Sequence, residues 1–156
     1  MSEHVLHFEV NGQAHEVSVQ AHHLLIDLLR EGLGLSGTKE ACSIGVCGAC
    51  SVLVDDRVVS ACIMPAVMVD GTRIQTIEGL AAPDGTLSPL QDAFIKHGGF
   101  QCGICTPGQI IAATALLSEQ PHPTTDQIKE WMTGNLCRCT GYYKIIESIQ
   151  AAAEVG

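Results

Sequence analysis

Basic residues are scarce in this sequence: 8 Lys plus Arg stand against 17 Asp plus Glu, and the formal net charge is −9. A nucleic-acid backbone needs a basic face to displace its counterions, so nucleic acid is excluded as a partner, and acidic ligands are poorly served too. Long apolar runs are also missing. The longest, Val58 to Val69, is interrupted by Ser60 and Pro65 and falls short of the roughly 20 residues a membrane helix needs, which predicts no membrane association. The N-terminal Met-Ser-Glu-His-Val-Leu-His carries no basic region leading into an apolar run and no twin arginine. The expectation is therefore no export signal and a cytoplasmic location. No Gly-x-Gly-x-x-Gly fingerprint occurs, and no nucleophile is paired with an oriented base, so substrate chemistry is not expected on this chain alone.

Cysteine is present but not dense. Eight cysteines in 156 residues lie below the roughly 8–10% that marks a small secreted disulfide scaffold. In a reducing cytosol clustered cysteines more often bind metal than pair as disulfides. Hydrophobic content of 46% with only 16% charged residues is rich for so small a protein, and part of the excess is expected to be buried against another chain.

Along the chain the apolar period changes once. Leu6, Phe8 and Val10 alternate with polar residues, Asn11-Gly12 supplies a tight turn, and Val17 and Val19 resume the alternation, predicting a β-hairpin. Leu24, Leu25, Leu28 and Leu29 predict one short helix ended by Gly32 and Gly34. Residues 36–50 read as an ordered, Gly- and Cys-rich loop. Short strands are expected at 52–54, 57–59 and 73–77. The stretch Ala-Ala-Pro-Asp-Gly-Thr-Leu at 81–87 has linker composition, setting domains at 1–80 and 88–156. Beyond it the period is helical. Ser88-Pro89, Thr106-Pro107 and Thr124 with Gln127 are helix starts, and Thr140 opens a fourth helix carrying Tyr142, Ile145, Ile146, Ile149 and Ala153. The fold class is thus α+β, with a C-terminal four-helix domain.

The cysteines divide into two quartets. Cys42, Cys47 and Cys50, spaced by four and two residues, with Cys62 eleven residues on, match the plant-type ferredoxin pattern for a 2Fe-2S cluster. Gly45 and Gly48 allow the tight turns that aim N–H groups at sulfur. Cys102 and Cys105 lie just before the second C-terminal helix, and Cys137 and Cys139 just before the fourth. Two helix N-termini would then face one anionic cluster. Four soft ligands suit zinc as well as iron-sulfur, and spacing alone leaves both open for this second quartet. Disulfides explain less: none of the 105 possible pairings accounts for both quartets sitting in Gly-rich loops. The adjacent His22-His23 reads as a solvated helix end, and Trp131 and Met132 as packing.

Gly37-Thr38-Lys39-Glu40, Cys42, Gly45, Cys47-Gly48-Ala49-Cys50 and Cys62, followed by Gln101-Cys102-Gly103-Ile104-Cys105-Thr106-Pro107-Gly108 and Gly134-Asn135-Leu136-Cys137-Arg138-Cys139-Thr140-Gly141-Tyr142, carry a resemblance across the whole chain. Together they resemble the iron-sulfur subunit of the molybdenum hydroxylases, the xanthine oxidase family. The resemblance implies a ferredoxin-like β-grasp N-terminal domain and a helical C-terminal domain, each holding one 2Fe-2S cluster. It implies a large partner subunit whose molybdopterin lies beside the second cluster, with Gln101 hydrogen-bonded to the pterin and Cys139 the ligand facing it. It implies that electrons leave through the plant-type cluster, to a medium FAD-binding subunit or a cytochrome. Departures are small: Ala41 and Asp56 stand where glycine is usual, and Gly99 where alanine is common. Arg138, between two ligands, would orient its loop or tune the cluster. The reading is an electron-transfer subunit, set against a zinc-stabilised interaction module and a free-standing two-cluster ferredoxin.

Overall fold

The computed structural model describes residues 3–155. Met1 and Ser2 of the export-signal reading, and the outermost residues of the 1–80 and 88–156 bounds, lie outside the described residues. The N-terminal half is a five-stranded sheet in the order β2-β1-β5-β3-β4. Strands β1 (Glu3–Val10) and β2 (Gln13–Gln20) form the expected antiparallel hairpin, with Phe8 opposite His15. Its turn places Asn11 at φ 52° and Gly12 at φ 80°, the left-handed pair that matches strand twist. Leu6, Phe8 and Val10 point into the core while their neighbours face solvent.

Strand β3 (Ser51–Val54) is buried along its whole length, unlike the hairpin. Val52 and Val54 pack into the N-terminal core, whereas Leu53 packs on Ile111 and Ala115 of the helical half. Both faces are covered, so the strand reads as an unbroken apolar run. Its partner β4 (Arg57–Ser60) returns through Asp55 (φ 46°) and Asp56 (φ 65°), a turn with two left-handed residues although neither is glycine. The Asp55 carboxylate accepts the Arg73 N–H at 3.0 Å, and Asp56 pairs with the Arg73 guanidinium at 3.2 Å, which supports that conformation. Strand β5 (Arg73–Gln75) runs parallel to β1 and antiparallel to β3, joining the two hairpins. It is shorter than its 73–77 expectation, because Ile77 turns into a 3-10 segment (Ile77–Gly79) and joins the helical core.

The first helix, α1 (Leu25–Asp27), widens into a π-type turn over Leu28–Gly32, where the Leu33 N–H reaches the Leu28 carbonyl at 3.0 Å. The four C-terminal helices are α2 (Pro89–His97), α3 (Thr106–Glu119), α4 (Thr125–Trp131) and α5 (Tyr143–Val155). Capping boxes Ser88/Gln91 and Thr124/Gln127 start α2 and α4. Helix α5 begins three residues later than Thr140, because Gly141 and Tyr142 both adopt positive φ. Trp131 donates its indole N–H to the Ala112 carbonyl at 2.8 Å, a packing contact as expected. The described residues contain no helix long and apolar enough to cross a membrane.

Candidate metal centres

The first thiol site is a loop that wraps on itself. Ser43, Gly45 and Gly48 take positive φ, and a Cβ at Gly45 would fall 2.5 Å from Ile63 Cδ1. The turns aim the backbone N–H groups of Ile44, Cys47 and Val46 at the Cys42 sulfur, which lowers its pKa to about 6. Cys50 and Cys62 lie deeper, 2% and 3% exposed. Burial pushes the Cys50 thiol up to about 12, with the Cys62 thiol beside it adding to the rise.

The second site is built from two loops. Cys105 is the residue immediately before α3, and Cys102 lies three residues earlier, separated by Gly103 at φ 86°. The Ile104 N–H, with help from the Cys139 side chain, draws the Cys102 pKa down. Cys105 is buried, and desolvation raises it to about 12. For Cys137 burial is the largest influence and acts upward. Hydrogen bonds from the Thr140 hydroxyl and N–H, at 3.2 and 3.4 Å, together with the Cys139 N–H, outweigh it, and the net shift is downward. Cys139 is exposed, and its thiol is pushed up chiefly by Cys102. The Tyr142 hydroxyl accepts the Cys137 N–H at 3.0 Å, so a side chain expected on the buried stripe of α5 braces this loop instead. The N-terminus of α3 adjoins the site as expected, but that of α5 starts four residues past Cys139, and loop N–H groups stand between.

All eight cysteines are free thiols. They meet in twos: Cys42 with Cys47, Cys50 with Cys62, Cys105 with Cys137, and Cys102 with Cys139, whose sulfurs lie 3.5 Å apart. That separation is far beyond the roughly 2.05 Å of a disulfide bond. Among the described residues no three His, Cys, Asp or Glu side chains close on a single ion. Two pairs per site, with Cys47 still acting on Cys50 and Cys102 on Cys105, fit a dinuclear centre with two thiolates for each iron, and N–H groups already aimed at sulfur suit its negative charge. The donor set and the cradle therefore fit 2Fe-2S clusters.

The remaining sequence candidates separate cleanly. Gln101 is exposed beside the second site, and its Nε2 donates to the Cys139 carbonyl at 3.0 Å. Arg138 is exposed. His22 and His23 stack edge-on at 4.9 Å in the turn before α1, away from both quartets in sequence and with His23 Nδ1 accepting the Gln20 N–H. A Cβ at Gly99 would fall 2.7 Å from both Phe94 and Ser148, so the space alanine would use is filled here.

Two buried residues outside the cysteine spacing pattern join the sites. Asn135 donates through Nδ2 to Gly48, Ser51 and Gly108, and Gln109 donates to the Asn135 carbonyl. Only the run Gly134-Asn135-Leu136 ahead of Cys137 hinted at the first, and an amide on the apolar face of α3 was the only sign of the second.

Residues 8–79 match the family described as a 2Fe-2S iron-sulfur cluster binding domain, and residues 76–150 that described as a [2Fe-2S] binding domain. The nicotine 6-hydroxylase small subunit of Paenarthrobacter nicotinovorans is 46% identical over 149 residues, covering 95% of this chain and 89% of that protein. The structure of quinoline 2-oxidoreductase from Pseudomonas putida 86 superimposes with a TM-score of 0.94 at 42% identity, covering 98% of this chain and 95% of that one. The aldehyde oxidoreductase from Desulfovibrio gigas superimposes with a TM-score of 0.92 at 44% identity, covering 97% of this chain and 17% of that one.

Proposed function

The chain belongs to the iron-sulfur subunits of the molybdenum hydroxylases, the xanthine oxidase family, and from that membership we propose how its own residues carry electrons. It is the electron-transfer subunit of an oxidoreductase, with two 2Fe-2S-binding domains. We assign Cys42, Cys47, Cys50 and Cys62 to the first cluster, and Cys102, Cys105, Cys137 and Cys139 to the second. Residues 1–80 and 88–156 serve as the two domains, and 81–87 joins them through a turn in which the Ala82 N–H meets the Thr86 carbonyl. The observation that carries the reading is the pairwise approach of the eight thiols at two separate sites.

Each cluster, when bound, accepts and releases one electron at a time. The protein's part is to hold the thiolates, stabilise their charge and control access. The Ile44, Val46 and Cys47 N–H groups do this at Cys42, and the Ile104 N–H does it at Cys102. Cys50, Cys62 and Cys105 are sealed from water by the cores around them, while Cys102 and Cys139 reach the surface.

Next to these two cysteines along the chain stand exposed apolar side chains: Phe100, Ile104 and Leu136 are 42%, 49% and 47% exposed. This face suits a large molybdopterin-binding subunit, and the length of the Desulfovibrio gigas chain supports a partner of that kind, since its matched region is a small part of a longer polypeptide. Gln101 uses Nε2 on the Cys139 carbonyl and keeps Oε1 to accept from a pterin N–H, which supports Cys139 as the ligand facing the pterin. The other end, with Ile44, Val46 and Ile63 exposed beside half-exposed Cys42 and Cys47, is where an FAD-binding subunit or a cytochrome would take electrons. Substrate chemistry would belong to the large subunit. Cysteines that hold clusters rather than disulfides favour a reducing compartment, the cytoplasm.

Native co-purification tests the whole reading. The expected product is a coloured complex containing larger subunits, iron, acid-labile sulfide and two distinct 2Fe-2S signals by EPR. A colourless protein with zinc alone would make it an interaction module, and a fully loaded monomer without partners would make it a free-standing ferredoxin.

A further inference from the structure

The seam between the two thiol sites is built around polar side chains that neither ligand set uses. Asn135 is buried two residues ahead of Cys137. Its Nδ2 lies 3.0 Å from the Gly48 carbonyl, 3.2 Å from the Ser51 hydroxyl and 3.2 Å from the Gly108 carbonyl. Two N–H groups thus serve three oxygens, and one of them is shared. The Ser51 hydroxyl closes the ring by donating to the same Gly48 carbonyl at 2.8 Å. Behind it Gln109, fully buried, donates to the Asn135 carbonyl at 2.6 Å. Gly48 adjoins Cys47, and Gly108 lies in the first turn of α3 behind Cys105. One side-chain amide therefore ties both thiol loops and the start of α3 together.

What this clamp keeps in register is a single backbone contact. The Leu136 N–H donates to the Cys47 carbonyl at 2.8 Å. Leu136 is bonded to Cys137, so the peptide of a first-site ligand is hydrogen-bonded to the neighbour of a second-site ligand. The two strands of chain that meet here are remote in sequence, and no turn or helix aligns them. Glycines let them approach: a Cβ at Gly108 would sit 2.1 Å from the Gly48 oxygen, and one at Gly48 would sit 2.5 Å from the Gly134 oxygen. Electronic coupling between redox groups falls much more steeply across a van der Waals gap than along covalent and hydrogen bonds. A small slip at this seam would replace the bonded route by a gap.

Stability alone is a poor reason for such a seam. Gln109 Oε1 is buried with no hydrogen-bond partner among the described residues, a cost that an apolar residue of the same size would avoid. A buried polar group that specifies one register is better attested. Building on the two-cluster reading above, we propose that Asn135 and Gln109 are positioning residues for electron transfer within this chain. They hold the Leu136 N–H on the Cys47 carbonyl and so set the coupling between the two cluster sites.

The test uses the purified complex carrying Asn135→Ala or Gln109→Met. The second keeps volume and helix while removing one donor, and it remains informative should the first fail to assemble. Two readouts are taken: the magnetic interaction between the two reduced clusters by EPR, and the rate of electron equilibration between them after flash reduction. The expected result is that each cluster keeps its own signal, while the interaction weakens and equilibration slows several-fold. Both signals present with interaction and rate unchanged, even alongside a lowered melting temperature, would overturn the proposal and leave the pair as structural. Absence of two cluster signals in the unaltered complex would instead overturn the relay reading on which it rests.

Discussion

At Cys42 and Cys50 the same side chain meets opposite surroundings. Three N–H groups drive the first toward thiolate, and burial drives the second toward thiol. Because the two quartets share no cysteine, Cys47→Ser is expected to remove half of the iron and only the first cluster's EPR signal. Loss of both signals from a folded protein would contradict the ligand assignment. Gln101 lies beside the second site, where it donates to the Cys139 carbonyl. Gln101→Ala should leave both cluster signals intact and lower turnover of the assembled enzyme; unchanged turnover with fully loaded clusters would remove Gln101 from the site.

At the scale of elements, α3 carries the largest structural demand. It starts just after Cys105, covers the outer face of β3 and gives the helical core more buried residues than any other helix. Gly108 in its first turn shows which effect wins. Alanine is favoured over glycine by about 1 kcal/mol in a helix. Here the added methyl would meet the Gly48 carbonyl at 2.1 Å, and that backbone cannot swing away as a side chain could. Overpacking costs typically about 1–3 kcal/mol, so Gly108→Ala is expected to be net destabilising in urea unfolding of the loaded protein. A stabilised variant would show that the seam yields. Helices α2 and α5 meet through a weaker device. Lys144 and His97 lie 2.7 and 3.3 Å from the Glu147 carboxylate and lower its pKa below the usual 4.5, Lys144 contributing most. A depressed carboxylate adds stability that is present above its unfolded pKa and lost as pH falls through the folded one. The difference in stability between the native chain and Glu147→Gln, measured by chemical unfolding, should therefore be small and favour the native chain at pH 7, begin to shrink near pH 4.5 and be lost as pH falls through the lower folded value. A difference that persists or grows in acid would contradict the ion-pair account.

For the whole molecule, exposed apolar residues neighbour each thiol site along the chain, Ile44, Val46 and Ile63 at the first and Phe100, Ile104 and Leu136 at the second, while the formal charge is −9. Isolated exposed apolar residues are ordinary, but three of them close in sequence to Cys102 and Cys139 fit the proposed docking face. Ile104→Asp places a charge on that face without touching a thiol. It is expected to leave cluster content unchanged while the large subunit no longer co-purifies at native stoichiometry, as read by size-exclusion chromatography. Retention of the complete complex would move the docking face elsewhere.

Much of this was legible in one dimension, because the signals are local. The Asn11-Gly12 turn, the Ser88-Pro89 and Thr124/Gln127 caps, the change of period near residue 88 and the two cysteine spacings each depend on residues a few positions apart. They determine the α+β class, the four helices and the two quartets. The late start of α5 was not legible, since Tyr142 has the spacing of a core residue and its left-handed backbone is imposed by bonds to Thr140 and Cys137. Nor was the mutual pairing of thiols from separate loops, such as Cys102 with Cys139. The seam was the least visible of all. Gly48, Gly108 and Asn135 look like ordinary loop and helix residues until packing brings them within hydrogen-bond distance, across 87 positions for the Asn135 to Gly48 bond. The sequence alone thus determined which atoms can hold two clusters, because ligand chemistry and spacing are written locally. Only the tertiary structure decided how the two sites are joined, because that contact exists between backbones that no local signal aligns.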